Sequence, residues 1–152
     1  MTTSPRQGGA ESSGGFSLTR GIVLLLAGAF LLLILDVREE HLAPIKHGYL
    51  FPWIPIIYSG IMFICCLATF FRWRRPMRHM LMVLFVVGIG VGLLGFWFHT
   101  HGDPLRAIRF AVQAWRSIPL PHYGQPPTLA PLSFVGLGLI GALSCSDWAQ
   151  KH

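Results

Sequence analysis

The run MLMVLFVVGIGVGLLGFWF, residues 80–98, carries no charged side chain over nineteen consecutive positions. An α-helix needs about 20 apolar residues to cross the roughly 30 Å of hydrocarbon in a bilayer. A backbone in that slab has no water to bond, and a helix satisfies its own N–H and C=O groups within one segment. The run therefore reads as a transmembrane helix. Three more stretches share its character, at about 18–37, 54–71 and 129–146. The predicted fold is all-α: an integral membrane protein built as a four-transmembrane-helix bundle.

Composition points the same way. Of 152 residues, 53% are hydrophobic and only 12% charged, where soluble domains carry about 25% charged residues. Four spans use about half of this length, which suits one compact unit. The predicted organisation is a Gly/Ser/Thr-rich, disordered tail over residues 1–17, a transmembrane domain over 18–147 and a short tail over 148–152. A formal net charge of +6 would suggest nucleic acid in a soluble protein. In a membrane protein it reflects topology and anionic lipid headgroups. The expected partners are therefore the lipid bilayer and other membrane subunits, and no nucleic acid.

The tail and Arg20 have the form of a signal-peptide n-region, and Gly21–Leu35 that of an h-region. Asp36-Val37-Arg38-Glu39-Glu40 follows in place of a small-residue cleavage site, so an uncleaved anchor is expected. Between the second and third spans lies Arg72-Trp73-Arg74-Arg75-Pro76-Met77-Arg78-His79. Four arginines in so short a loop place it in the cytoplasm, and with four spans both termini join it there. Ten arginines against two lysines, with no asparagine, match the codon bias of a GC-rich genome. The expected location is a bacterial cytoplasmic membrane. Trp53 and Tyr58 suit the outer interface and Trp73 the inner one. Cys65, Cys66 and Cys145 make no disulfide framework and read as packing residues.

The third loop has an amphipathic stretch of its own, about 104–117. Asp103-Pro104 reads as an N-cap followed by a helix-starting proline. Leu105, Ile108, Val112 and Trp115 recur at helical spacing beside Arg106, Arg109, Gln113 and Arg116. This predicts an interfacial helix, or a helix capping the bundle. Five prolines between Ile118 and Pro131 predict an irregular segment after it.

In the third span, Gly90-Val91-Gly92-Leu93-Leu94-Gly95 matches GxGxxG. That pattern binds a dinucleotide only between a strand and a helix, and here it lies inside a membrane segment. Gly88, Gly92 and Gly95 instead share one helical face and predict close helix packing. Gly136, Gly138 and Gly141 offer a similar surface on the fourth span.

Ionisable groups gather on the predicted outer side: Asp36, Glu39, Glu40 and Asp103, with His41, His47, His99, His101 and His122. Three readings follow. Glu40, His41, His99 and His101 are candidate metal ligands, since imidazole and carboxylate suit zinc, copper, iron or nickel. His99 and His101 would chelate together only where the helix has ended. His41 and His99 are the candidate axial pair for a haem b, or the polar groups of a quinone pocket. The third reading is structural, with the acids solvated or paired to arginines of the interfacial helix. No HExxH, CxxC or GxSxG motif is present, so no catalytic residue is assigned and no cofactor is favoured. The function expected is a non-enzymatic membrane protein, an accessory or assembly subunit of a larger complex. The alternative is a metal- or haem-binding redox component using the outer His/acid cluster.

Overall fold

The structure, a computed structural model, describes residues 17–105, 108, 109, 112, 113 and 129–149. It is helical, with no strand among the described residues. In chain order the helices are α1 (Leu18–Glu40), α2 (Leu42–Lys46), α3 (Trp53–Phe71), α4 (Arg75–His99) and α5 (Leu132–Cys145). Three of them, α1, α3 and α4, are long and apolar enough to cross a membrane. At 23, 19 and 25 residues they measure about 35, 29 and 38 Å at 1.5 Å per residue.

The fourth apolar stretch differs from its reading. Its helix has 14 residues, not the 18 of 129–146, and is about 21 Å long. Pro131 is its N-cap, after a turn over 129–131, and Ser146 swings to an extended ψ of 152° at the other end. The arginine loop is also shorter than read. Helix α4 already begins at Arg75, with Pro76 in its first turn, where a missing N–H costs nothing. Of the predicted interfacial helix, Pro104, Leu105, Ile108, Arg109, Val112 and Gln113 have helical backbone. Trp115, Arg106, Arg116, the proline-rich segment up to residue 128 and the N-terminal tail to residue 16 lie outside the described residues.

Each long helix buries one face at helical spacing. Val23, Leu26, Ala27 and Phe30 serve α1, and Leu81, Phe85, Gly88, Gly92 and Phe96 serve α4. Large side chains such as Leu25, Leu32, Ile64 and Val83 point outward, which suits lipid. The tightest pairings are α1 with α3 and α4 with α5, and lighter contacts join α1 to α5 and α3 to α4. Neighbours run antiparallel. Arg20 at the start of α1 meets Phe70 at the end of α3. Phe51, just before α3, meets Phe98 at the end of α4. Arg75 at the start of α4 meets Asp147 just past α5.

The helices meet at an aromatic centre. Phe30 of α1 lies 6.1 Å from Tyr58 of α3, 6.2 Å from Phe85 of α4 and 6.4 Å from Phe134 of α5. Tyr58 is thus buried, not an interfacial anchor, and its hydroxyl donates to the Leu84 carbonyl at 2.8 Å. A phenol in an apolar interior needs such an acceptor. Gly88 makes the approach possible, because a Cβ there would strike the Tyr58 hydroxyl.

Glycine also sets the α4–α5 seam. A Cβ on Gly92 would sit 2.8 Å from the Pro131 carbonyl oxygen, and one on Gly95 would sit 3.1 Å from Pro131 Cβ. From the other side, a Cβ on Gly138 would lie 2.7 Å from Ile89 Cγ1, and one on Gly141 would enter the Phe85 ring. Gly90 and Gly136 have nothing within 4 Å of that position.

Candidate functional site

Antiparallel packing gives the molecule an arginine end and a histidine end. At the histidine end α1 and α4 finish side by side. His41 follows the last residue of α1, and His99 is the last residue of α4. Their rings lie 5.9 Å apart between centroids and inclined at 61°. His41 Nδ1 donates to the Val37 carbonyl at 2.9 Å. A carbonyl only accepts, so Nδ1 carries the proton and Nε2 of the neutral ring holds a lone pair.

The two rings border a cavity of about 130 Å³. Its wall is apolar, drawn from all four main helices and the turns beside them: Leu33 and Val37 of α1, Ile54 and Pro55 of α3, Val91, Leu94 and Phe98 of α4, and Phe134 of α5. Asp36 is the only acid on its lining among the described residues.

The predicted metal set is only partly assembled. His41 and His99 come together. Glu40 and His101 are exposed, and no group of three His, Cys, Asp or Glu that could hold a metal ion occurs among the described residues. The helix does end at His99, as chelation through His101 would require. His101 has φ +50° and Gly102 φ +81°, and their N–H groups bond Phe98 and Trp97 carbonyls at 3.2 and 3.1 Å. This is a Schellman termination with histidine in the left-handed position that usually takes glycine. Glu39 pairs with its neighbour Arg38 at 2.9 Å, and not with a described residue of the third loop.

Sequence reading offered a pocket at this end with His41 and His99 as its polar groups, and counted Asp36 in the same outer cluster, but did not mark Asp36 as part of that pocket. The one available signal was that Asp36 is the first ionisable residue after an apolar run of fifteen, residues 21–35.

At the arginine end Arg20, Arg75 and Arg78 are engaged. Arg20 Nε donates to the Phe70 carbonyl at 2.7 Å, with its guanidinium 5.1 Å from the Phe70 ring centre. Asp147 accepts from Arg75 at 3.0 Å and Arg78 at 3.4 Å, and His79 Nε2 stands 3.7 Å away. The hydrogen bond from Arg75 holds the Asp147 carboxyl below the usual carboxylate range, and the charges of Arg75, His79 and Arg78 add to this. Cys65, Cys66 and Cys145 are free thiols.

No family model, curated protein or solved structure matches the chain.

Proposed function

We propose that this chain is a small non-enzymatic multi-pass membrane protein, an accessory or assembly subunit of a larger complex in a bacterial cytoplasmic membrane. It crosses four times, with both termini and the arginine end in the cytoplasm. Helix α5 makes the fourth crossing despite its length of about 21 Å, with bilayer thinning and its flanking turns covering the remainder.

The observation that carries the subunit reading is an open groove between α1 and α5. It is lined by Ala29, Leu32, Leu33, Asp36, Ser133, Gly136, Leu137 and Ile140. Membrane helices associate where small residues let backbones approach, and Gly136 faces open space. A transmembrane helix of a partner subunit fits there. Photo-crosslinkers placed at Leu32 and Ile140 in cells should give one protein adduct of defined mass, lost on Gly136→Leu. Adducts with lipid alone would defeat the proposal.

Orientation has its own test. In a cysteine-free background, Tyr49→Cys should react with an impermeant reagent from outside and Arg72→Cys should not. The opposite pattern would put the histidine end in the cytoplasm.

One observation favours the second reading, a metal- or haem-binding redox component. A metal-bound histidine commonly donates its other ring nitrogen to a carbonyl, as His41 does to Val37. A porphyrin is far larger than the 130 Å³ available, so a metal ion held by His41 and His99 is the form this reading takes. Metal analysis of wild type and His99→Ala separates the readings. One metal per chain, lost in the variant, would replace the subunit proposal.

A further inference from the structure

The cavity at the histidine end has a size, a polarity and a hydrogen-bonding sense, and together they define a ligand. Its volume of about 130 Å³ is close to the roughly 150 Å³ of an apolar cavity that takes up one benzene ring. Phe98 and Phe134 offer aromatic surface on its wall, while Asp36, His41 and His99 are its ionisable groups. The sense follows from His41. Its Nδ1–H is committed to the Val37 carbonyl, so in the neutral ring Nε2 is the acceptor. An ionised Asp36 is acceptor-only, and it has no hydrogen bond or ion pair among the described residues. Two acceptors, together with the ring N–H that His99 carries in either tautomer, thus border one ring-sized apolar space, and a ligand that engages the acceptors must bring a donor.

We infer that this cavity binds the hydroxylated ring of a membrane-soluble phenol or quinol. The ring occupies the apolar space, its hydroxyl donates to Asp36 or His41, and its alkyl tail lies among the lipid chains. The oxidised quinone is the poorer fit: its carbonyls only accept, so it could bond the His99 ring N–H but would leave Asp36 and His41 without a donor. This site shares Leu33 and Asp36 with the partner groove but needs no partner subunit, and a chain without one would retain it.

The test uses the full-length protein in lipid nanodiscs and a 4-alkylphenol with a diazirine in its tail. Labelled peptides are mapped by mass spectrometry, with 4-hexylphenol and its methyl ether, 4-hexylanisole, as competitors. The two competitors have similar shape, and the ether is the more lipophilic, so partitioning alone favours the ether. Labelling should saturate and map to peptides holding Ile54–Pro55 and Phe98–His99. The phenol should protect at a concentration at least about tenfold lower than the ether, the effect of one hydrogen bond to a charged acceptor. His41→Ala and Asp36→Asn should narrow that gap, and Val91→Phe, which fills the cavity, should remove saturable labelling. Equal protection by phenol and ether in the wild-type protein would overturn the inference. So would unsaturable labelling spread over lipid-facing positions such as Leu25 and Ile64. Both of these outcomes are read on unaltered protein, so they do not depend on a variant folding.

Discussion

The arginine end of the molecule is filled and paired, and the histidine end leaves room. Toward the arginine end, Gly138 and Gly141 let α5 close on Ile89 and Phe85, Arg20 clips α1 to the last turn of α3, and Asp147 ties the start of α4 to the end of α5. Toward the histidine end, the cavity under His41 and His99 and the groove beside Gly136 both open, and they share Asp36. The same residue types therefore do different work at the two ends. Glycine at 141 is needed because something occupies the space, whereas glycine at 136 faces space that none of the described residues occupies. Charge at the arginine end holds helices together, whereas Asp36 borders a cavity. Stability should reside in the first region and binding in the second.

The largest effect should come from the glycines. Gly141→Leu drives a branched side chain into the Phe85 ring and should destabilise the fold by about 1–3 kcal/mol, the usual range for overpacking. Gly92→Leu, against the Pro131 carbonyl, should fall in the same range. Gly136→Leu and Gly90→Leu, with nothing within 4 Å, should change little. Equilibrium unfolding in mixed micelles ranks the four. Equal losses at Gly141 and Gly136 would erase the distinction between a filled and an open side of α5.

The next comparison sets Arg20 against His41. The Phe70 carbonyl lies in the last turn of α3, where no intrahelical N–H remains to bond it, and Arg20 supplies a charged donor. Arg20→Ala should cost about 1–2 kcal/mol, since water at the membrane surface replaces part of the lost bond. His41 bonds a carbonyl that also accepts the His41 backbone N–H at 3.1 Å. His41→Ala leaves that carbonyl satisfied and should cost less than about 1 kcal/mol. The same unfolding measurement checks both, and a larger loss at His41 would make it a structural residue.

Next in size is His101→Gly. A left-handed residue other than glycine carries strain of about 1 kcal/mol, and His101 has φ +50°. The variant should raise stability by up to about that amount, read as an increase in unfolding midpoint. A decrease would mean that the imidazole makes a contact worth more than the strain.

The apolar runs at 18–37, 54–71 and 80–98 locate α1, α3 and α4 but understate two of them. Helix α1 continues through Arg38 and Glu40, and α4 begins among arginines at Arg75. Apolarity marks the thickness of hydrocarbon, while a helix continues into water wherever its backbone bonds still form. The fourth run overstated its helix because Pro131, inside an apolar stretch, stops it. That His41 and His99 share one end follows from alternating helix direction, which apolar runs and short loops convey. What lies between them does not follow. In a soluble helix, polar residues show which face is outside. Here both faces are apolar, so Leu33 and Leu32, or Val91 and Leu93, look equivalent in the chain. The rotation of each helix about its axis decides which of them lines a cavity, and Tyr58 was misplaced for the same reason.

The smallest expected effect belongs to Asp147, whose carboxylate is 44% exposed and therefore well screened by solvent. Its hydrogen bond from Arg75 depresses the folded-state value, while the unfolded chain has the ordinary aspartate value of about 3.9. A depressed acid contributes stability fully above its unfolded value, and loses it as pH falls through the folded one. At pH 7 the Asp147→Asn protein should therefore unfold slightly more easily than wild type. As pH drops below about 4 the difference should shrink, because protonation removes the charge that the substitution has already removed. High salt at pH 7 should shrink it too, by screening the pairs with Arg75 and Arg78. A pH-independent difference would mean that Asp147 acts through shape or hydrogen bonding alone. The arginine end would then be held by its packing and by Arg20, and its charge pairs would be surface decoration like the Arg38–Glu39 pair at the other end.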